Sequence, residues 1–375
     1  MNVLAIVNTS YQIIVVTQLR RKLFQAAQMD VIVTDQVAQG EEIAGRMQAA
    51  GLFDRVFFVR DKKELQSAAP AEKIWDILQF GLGGKTRFPV ETLGLRERYD
   101  ALLYYNLDLL AIRLFDVYVK KEPGLRLNRF EEGFLSYNSE NTEGNNSRKA
   151  WILRLRRLFH PRKNWERYFG SYYCFFPELV PAQTKYTPEQ IPVITAEDLA
   201  AVKMLNDIFG YEPDPREYDA KVIYFEGWFE CGEKQIVEKL AEAAGRENIV
   251  VKPHPRHQTD WEGEVCVRTS VNNHVPWEIV QMNLDLSGSV LVAVSSSCPA
   301  VASALLRQDI PALYLFPCVK LQGTQNDRVM FEDVTRALRS ALQRTQSKDF
   351  LPRVKIVENE AQLRLVLEKL GRNVL

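Results

Sequence analysis

The chain has 375 residues, 46% of them apolar and 26% charged, with 48 Lys and Arg against 48 Asp and Glu. That length accommodates two domains with separate cores, the composition is that of a globular protein, and the balanced charge provides no field for nucleic acid. The longest apolar runs, such as 290–294, are too short to span a bilayer. The apolar start at residues 1–7 lacks a basic flank and a cleavage site, so it is expected to be a buried first strand rather than a signal peptide. Five cysteines (Cys174, Cys231, Cys266, Cys298, Cys318) are scattered without zinc spacing or a Cys-x-x-Cys pair. This predicts a reduced, cytoplasmic protein without a structural metal.

Strand-like and helical segments alternate, and most strands are continuous apolar runs. That pattern predicts parallel sheets covered on both faces. In the first half, 2–7, 30–34, 55–59 and 101–105 read as strands, with helices near 12–25, 39–50, 71–80 and 107–119. Pro123-Gly124 marks a turn, and a strand over 125–130 delivers Glu131, Glu132 and Gly133. Residues 138–146 are polar and read as a loop. Residues 148–167 carry eight Lys or Arg interleaved with Trp151, Ile152, Leu153, Leu155, Leu158, Phe159 and Trp165. Up to about 159 this predicts a basic amphipathic helix, ended by Pro161. It reads either as attachment to an anionic membrane face or as a helix packed on its own domain.

The second half opens with a strand at 221–225, a loop at 226–232 and a helix at 233–244. A strand at 248–252 completes a βαβ unit. A strand at 289–294, a turn at 295–297, a helix at 299–306 and a strand at 312–316 follow, with Pro299 suited to a first helical turn. Helices near 333–344 and 360–370 close the chain. The expected architecture is α/β, with two Rossmann-like doubly wound domains at 1–180 and 181–375 facing a central cleft. The last helix is expected to pack back on the first domain.

Ligands of open parallel sheets sit beyond the carboxyl ends of the strands. Four polar groups fall there. The first is Glu131-Glu132-Gly133, in which a carboxylate can take a proton from a sugar hydroxyl. Adjacent residues in extended chain point apart, so one of the two glutamates faces the cleft. The second is Lys252-Pro253-His254-Pro255-Arg256. The prolines restrict His254, and an imidazole flanked by Lys252 and Arg256 can hold a phosphate. The alternative is a structural histidine in a Pro-rich loop. His257 and His160-Pro161-Arg162 are lesser candidates, and His274 reads as structural. The third is Ser295-Ser296-Ser297, which opens a helix and either binds phosphate or caps. The fourth is the loop at Glu226 and Gly227. Asn8-Thr9-Ser10-Tyr11-Gln12, after the first strand, either lines the acceptor side or caps the first helix. No Gly-x-Gly-x-x-Gly, P-loop or Gly-x-Ser-x-Gly motif occurs. Asn106-Leu107-Asp108 lacks the first carboxylate of a pair that would bind a nucleotide-bound metal.

These motifs and their order resemble bacterial sialyltransferases, which carry an acidic-acidic-Gly motif in the first domain, a His-Pro motif in the second and, in many members, a serine pair further on. Asn8-Thr9-Ser10-Tyr11-Gln12 is similar to the Asn-Thr-Pro-Tyr-Gln start of the lipooligosaccharide and capsule members of glycosyltransferase family 52, with Ser10 in place of proline. The resemblance implies a GT-B fold, CMP-sialic acid as donor, a galactose-terminated surface glycan as acceptor, inversion at the anomeric carbon, and neither metal nor cofactor. It implies Glu131 as first choice of base and Glu132 as second, where family members often have Asp. It gives His254 and Ser295–Ser297 the leaving phosphate. Gly227, Lys252, Pro255 and Arg256 border the donor, and Asn8, Ser10, Tyr11 and Gln12 the acceptor. A homodimer is implied too. Peripheral contact with the inner membrane rests on the basic segment. The rivals are another glycosyl or polyol-phosphate transferase, a sugar-nucleotide epimerase and a non-catalytic assembly subunit.

Overall fold

The apolar runs become the strands of two all-parallel sheets. The structure is a computed structural model, described for residues 1–61, 93–137, 165–195, 197–229, 231–254, 259–272, 274–321, 323–346, 351 and 353–372. The basic segment lies largely outside the described residues, as do the helix expected at 71–80, Pro255, Arg256, His257 and His160.

The chain divides into two units. The first comprises Met1–Glu132, Ser136–Pro192 and Asp207–Phe209. Its strands are β1 (Asn2–Val7), β2 (Gln28–Thr34), β3 (Arg55–Val59), β4 (Ala101–Tyr104), β5 (Arg126–Phe130), β6 (Phe169–Cys174) and β7 (Thr187–Gln190). They form one seven-stranded sheet in the order β3-β2-β1-β4-β5-β6-β7. The helices are α1 (Ser10–Lys22), α2 (Gly40–Ala49) and α3 (Leu109–Lys121). Helix α1 begins where Thr9 accepts from the Gln12 amide, and α3 where Asp108 accepts from the Ala111 amide. Ile13, Ile14, Val15, Val16 and Leu19 of α1 are fully buried. Strands β6 and β7 are not evident in the sequence. The four exposed residues Thr187–Gln190 hold strand form only by pairing with Ser171–Cys174.

The second unit comprises Gly133–Leu135, Val193–Asn206 and Gly210–Leu375. Its sheet has the order β10-β9-β8-β11-β12-β13. The strands are β8 (Val222–Phe225), β9 (Ile249–Lys252), β10 (Arg268–Thr269), β11 (Val290–Ala293), β12 (Ala312–Tyr314) and β13 (Val354–Ile356). Helix α4 is Leu199–Phe209, shared between the units. It is followed by α5 (Glu233–Ala244), α6 (Trp261–Val265), α7 (Trp277–Asn283), α8 (Cys298–Leu306), α9 (Gln325–Gln346) and α10 (Glu360–Gly371). Strands β8, β9 and β11 are buried along their whole length, which is why they read as continuous apolar runs. Helix α10 packs on α5, where Lys239 pairs with Glu360 at 2.9 Å.

Both sheets have the same logic. Strand order reverses between β1 and β4 in one and between β8 and β11 in the other. Such a reversal opens a crevice at the carboxyl ends of the strands, where ligands of doubly wound sheets bind.

Candidate active site

The chain turns sharply after β5 through Gly133, whose φ of 67° suits glycine. Glu131 points inward and is 1% exposed. Its Oε1 accepts from the Tyr11 hydroxyl at 2.5 Å. Its Oε2 accepts from the Phe175 amide at 2.8 Å and from the Tyr137 hydroxyl. Burial pushes the Glu131 carboxyl up to about 7, against the lowering effect of these three donors.

Glu132 faces the other way and is only half-buried. It accepts from the Gln12 side-chain amide. Its carboxyl is raised by burial, opposed by hydrogen bonds from Thr9 and Gln12 and by the charge of Arg129. Arg129 is itself buried, with its guanidinium over the rings of Tyr105 (5.2 Å) and Tyr172 (5.1 Å) and its Nε donating to the Tyr105 carbonyl at 3.1 Å.

The Asn8–Gln12 segment therefore meets the two glutamates, but as a brace. Tyr11 holds Glu131, and Gln12 holds Glu132 while its Oε1 accepts from the Asn8 amide at 2.6 Å. The Asn8 side chain donates to Asp108 at 2.9 Å and accepts from Thr34 at 2.9 Å. Ser10 is the first residue of α1 and half-buried. Sequence reasoning missed Tyr137 and Arg129. Both are buried, and only their position beside the acidic pair gives them away.

In the second unit, three loops gather beyond the carboxyl ends of β8, β9 and β11. After β8 comes Glu226, buried, with Oε2 accepting from the His254 amide at 2.9 Å and Oε1 from the Thr259 hydroxyl at 2.6 Å. Gly227 follows, and its amide donates to both oxygens of Glu233 at 3.2 Å. A Cβ on Gly227 would lie 2.3 Å from the Ser295 Oγ and 2.8 Å from Glu233 Oε1, so an alanine there would force those side chains to shift. Trp228 is next, 50% exposed, its ring 6.0 Å from that of His254. The buried Glu233 carboxyl is pushed up to about 8 by desolvation, with the nearby Glu226 charge adding to the effect.

Ser295, Ser296 and Ser297 are half-buried at the start of α8. The Ser296 Oγ accepts from the Cys298 amide at 3.4 Å, while Ser297 stands at the N-cap without a side-chain capping bond. Lys252 ends β9. Its ammonium is buried and donates to the carbonyls of Asn272 (3.2 Å) and Val275 (3.0 Å), and desolvation lowers it to about 8. It ties the strand to the 272–275 loop. Glu233 and Trp228 were not singled out from sequence. Among the described residues no cluster of His, Cys, Asp and Glu has a metal-binding arrangement, and no helix is long and apolar enough to cross a membrane.

No protein-family model and no curated protein matches the chain. Solved structures do. Arabidopsis thaliana UGT89C1 complexed with UDP is similar with a TM-score of 0.52 at 11% identity, over 100% of this chain and 91% of that one. The glycotransferase of kitacinnamycin is similar with a TM-score of 0.50 at 12% identity, over 100% of this chain and 94% of that one. At such identity the likeness concerns fold alone, and the fold is that of the GT-B glycosyltransferases, with a parallel α/β sheet in each unit.

Proposed function

We propose that this chain is an inverting glycosyltransferase that moves sialic acid from CMP-sialic acid to a galactose-terminated surface glycan. The observation that carries the reading is the placement of both motifs: each stands beyond the carboxyl end of a strand, one strand away from the point where strand order reverses. Glu131-Glu132-Gly133, His254 and the Ser295–Ser297 turn follow the order in sialyltransferases, which favours the sialyl donor over other sugars.

In this reading Glu132 is the base and Glu131 its anchor. Glu131 has both oxygens engaged in the interior, whereas Glu132 is half-buried. The Glu132 carboxylate takes the proton of the acceptor hydroxyl as that oxygen bonds to the anomeric carbon. The bond from that carbon to the phosphate oxygen breaks, and CMP leaves with the electron pair. His254 and the serine hydroxyls offer donors to the phosphate as its charge grows. General-base help of this kind is worth roughly 10²–10⁴-fold in rate. Metal independence and peripheral membrane contact belong to the same proposal.

A uridine-linked donor is the second reading, favoured by the UDP bound to the Arabidopsis neighbour. The test is nucleotide release in EDTA from CMP-sialic acid and from UDP-glucose, each with and without lactose. Lactose-stimulated CMP release is expected. Release of UDP alone would replace the sialyl reading with the second one.

A further inference from the structure

The loop carrying His254 is tied at His254 and at Thr259 by one side chain from the loop after β8. Glu226 is buried, and its two carboxylate oxygens reach two different donors: the His254 amide at 2.9 Å and the Thr259 hydroxyl at 2.6 Å. Its own amide donates to the Lys252 carbonyl at 3.1 Å, extending the β8–β9 ladder to the start of that loop. The next residue, Gly227, lies against Ser295, and the one after, Trp228, lies beside the His254 ring. Glu226 is thus the node from which the loops after β8, β9 and β11 are set.

We propose that Glu226 is a positioning residue for the nucleotide-phosphate site: it fixes the His254 backbone and so aims the imidazole. This rests on the donor-site role given to His254 above. A carboxylate accepts on both ends, which matches the two donors that meet it here. Prolines at 253 and 255 already restrict the backbone on either side of His254. With its amide held as well, the ring retains mainly its own side-chain torsions. Glutamine in place of Glu226 can still accept from the His254 amide, and its amide group can donate to the Thr259 oxygen, so Glu226→Gln should preserve the geometry. Alanine removes both contacts.

The experiment compares wild type, Glu226→Ala, Glu226→Gln and Thr259→Val. Three readouts are taken: the NMR titration of isotope-labelled histidines, CMP affinity by calorimetry, and transfer kinetics. The chain has 4 histidines, so the ring signals are few enough to assign by single substitutions. In Glu226→Ala the His254 titration should shift while that of His274 stays. CMP affinity should fall by about tenfold or more, the loss expected when hydrogen bonds to a charged acceptor disappear. Glu226→Gln should remain within about threefold of wild type. Thr259→Val should give a smaller His254 shift, which keeps the test decisive should the alanine variant fail to fold. An unchanged His254 titration in folded Glu226→Ala, or a Gln variant as impaired as the Ala one, would overturn the assignment. Should wild type not bind CMP, the donor reading fails, and the His254 titration still judges the role of Glu226.

Discussion

Replacing Glu131 and Glu132 separately by alanine should produce opposite phenotypes. Glu131→Ala strips the acceptor from two buried donors, the Phe175 amide and the Tyr137 hydroxyl, and from the partly exposed Tyr11 hydroxyl. Each unsatisfied buried donor costs about 1–3 kcal/mol, so the gross loss is roughly 2–6 kcal/mol. The carboxyl itself is buried against its preference, as its rise to about 7 shows, so removing it returns part of that loss. A net destabilisation of about 2–3 kcal/mol is a large share of the roughly 5–15 kcal/mol typical of a domain. It should lower the urea midpoint by about 1 M. Glu132 is half-buried and makes fewer contacts, so Glu132→Ala should cost no more than about 1 kcal/mol. Its turnover should nevertheless fall by roughly 10²–10⁴-fold. The assay pairs urea unfolding with transfer kinetics on the same preparations. If Glu131→Ala unfolds like wild type and loses as much turnover as Glu132→Ala, the division of labour between the two is wrong and Glu131 is the base.

Stability should vary with pH in an unusual way. Glu131 and Glu278 are held up at about 7 and Glu233 at about 8, all chiefly by desolvation. Unfolded carboxyls titrate near ~4.3, so the folded state binds more protons between these values. Their contribution is full below that range and is lost as pH rises to about 8. Lys252 is lowered by burial to about 8 from 10.5, so its share of stability grows from about 8 upward. Urea midpoints should therefore pass through a minimum near pH 8, and a maximum there would contradict these environments. Gly227→Ala should lower the melting temperature through collision with Ser295, and adding Ser295→Ala should restore part of it. No recovery would mean that the crowding lies elsewhere. Asp30 is fully buried and accepts from Arg55, Arg96 and Tyr99. Asp30→Ala should cost about 3–5 kcal/mol by orphaning these partners, while calorimetric CMP affinity stays unchanged.

Legibility in the sequence followed burial. Strands such as Val222–Phe225 and Val290–Ala293 are buried on both faces, so their apolar runs announce them. Thr187–Gln190 lies exposed at a sheet edge, where pairing alone makes the strand, and no local pattern marks it. Helix α9 runs over Gln325–Gln346, well beyond the expected 333–344, because its first turns are polar and exposed. At the candidate site, the position of each motif after a strand was readable. What each side chain touches was not. Lys252 looks like a phosphate ligand in sequence, but its ammonium is turned toward backbone carbonyls. Likewise, adjacency of Glu131 and Glu132 shows that they diverge, but which one enters the core depends on Tyr137 and Phe175, contributed by other segments.

The open sheets have a further consequence, for self-association. Each has two border strands, and a border strand is a template for unwanted pairing with another chain. Among the described residues the borders are β3, β7, β10 and β13. β3 begins with Arg55, β7 carries Pro188 and Glu189, β10 consists of Arg268 and Thr269 alone, and β13 places Lys355 at its centre. Proline removes a ladder donor, charges resist being stacked on their like, and two residues offer too little backbone to recruit a partner. The same features that hide β7, β10 and β13 in the sequence thus make these borders poor templates for pairing with another chain.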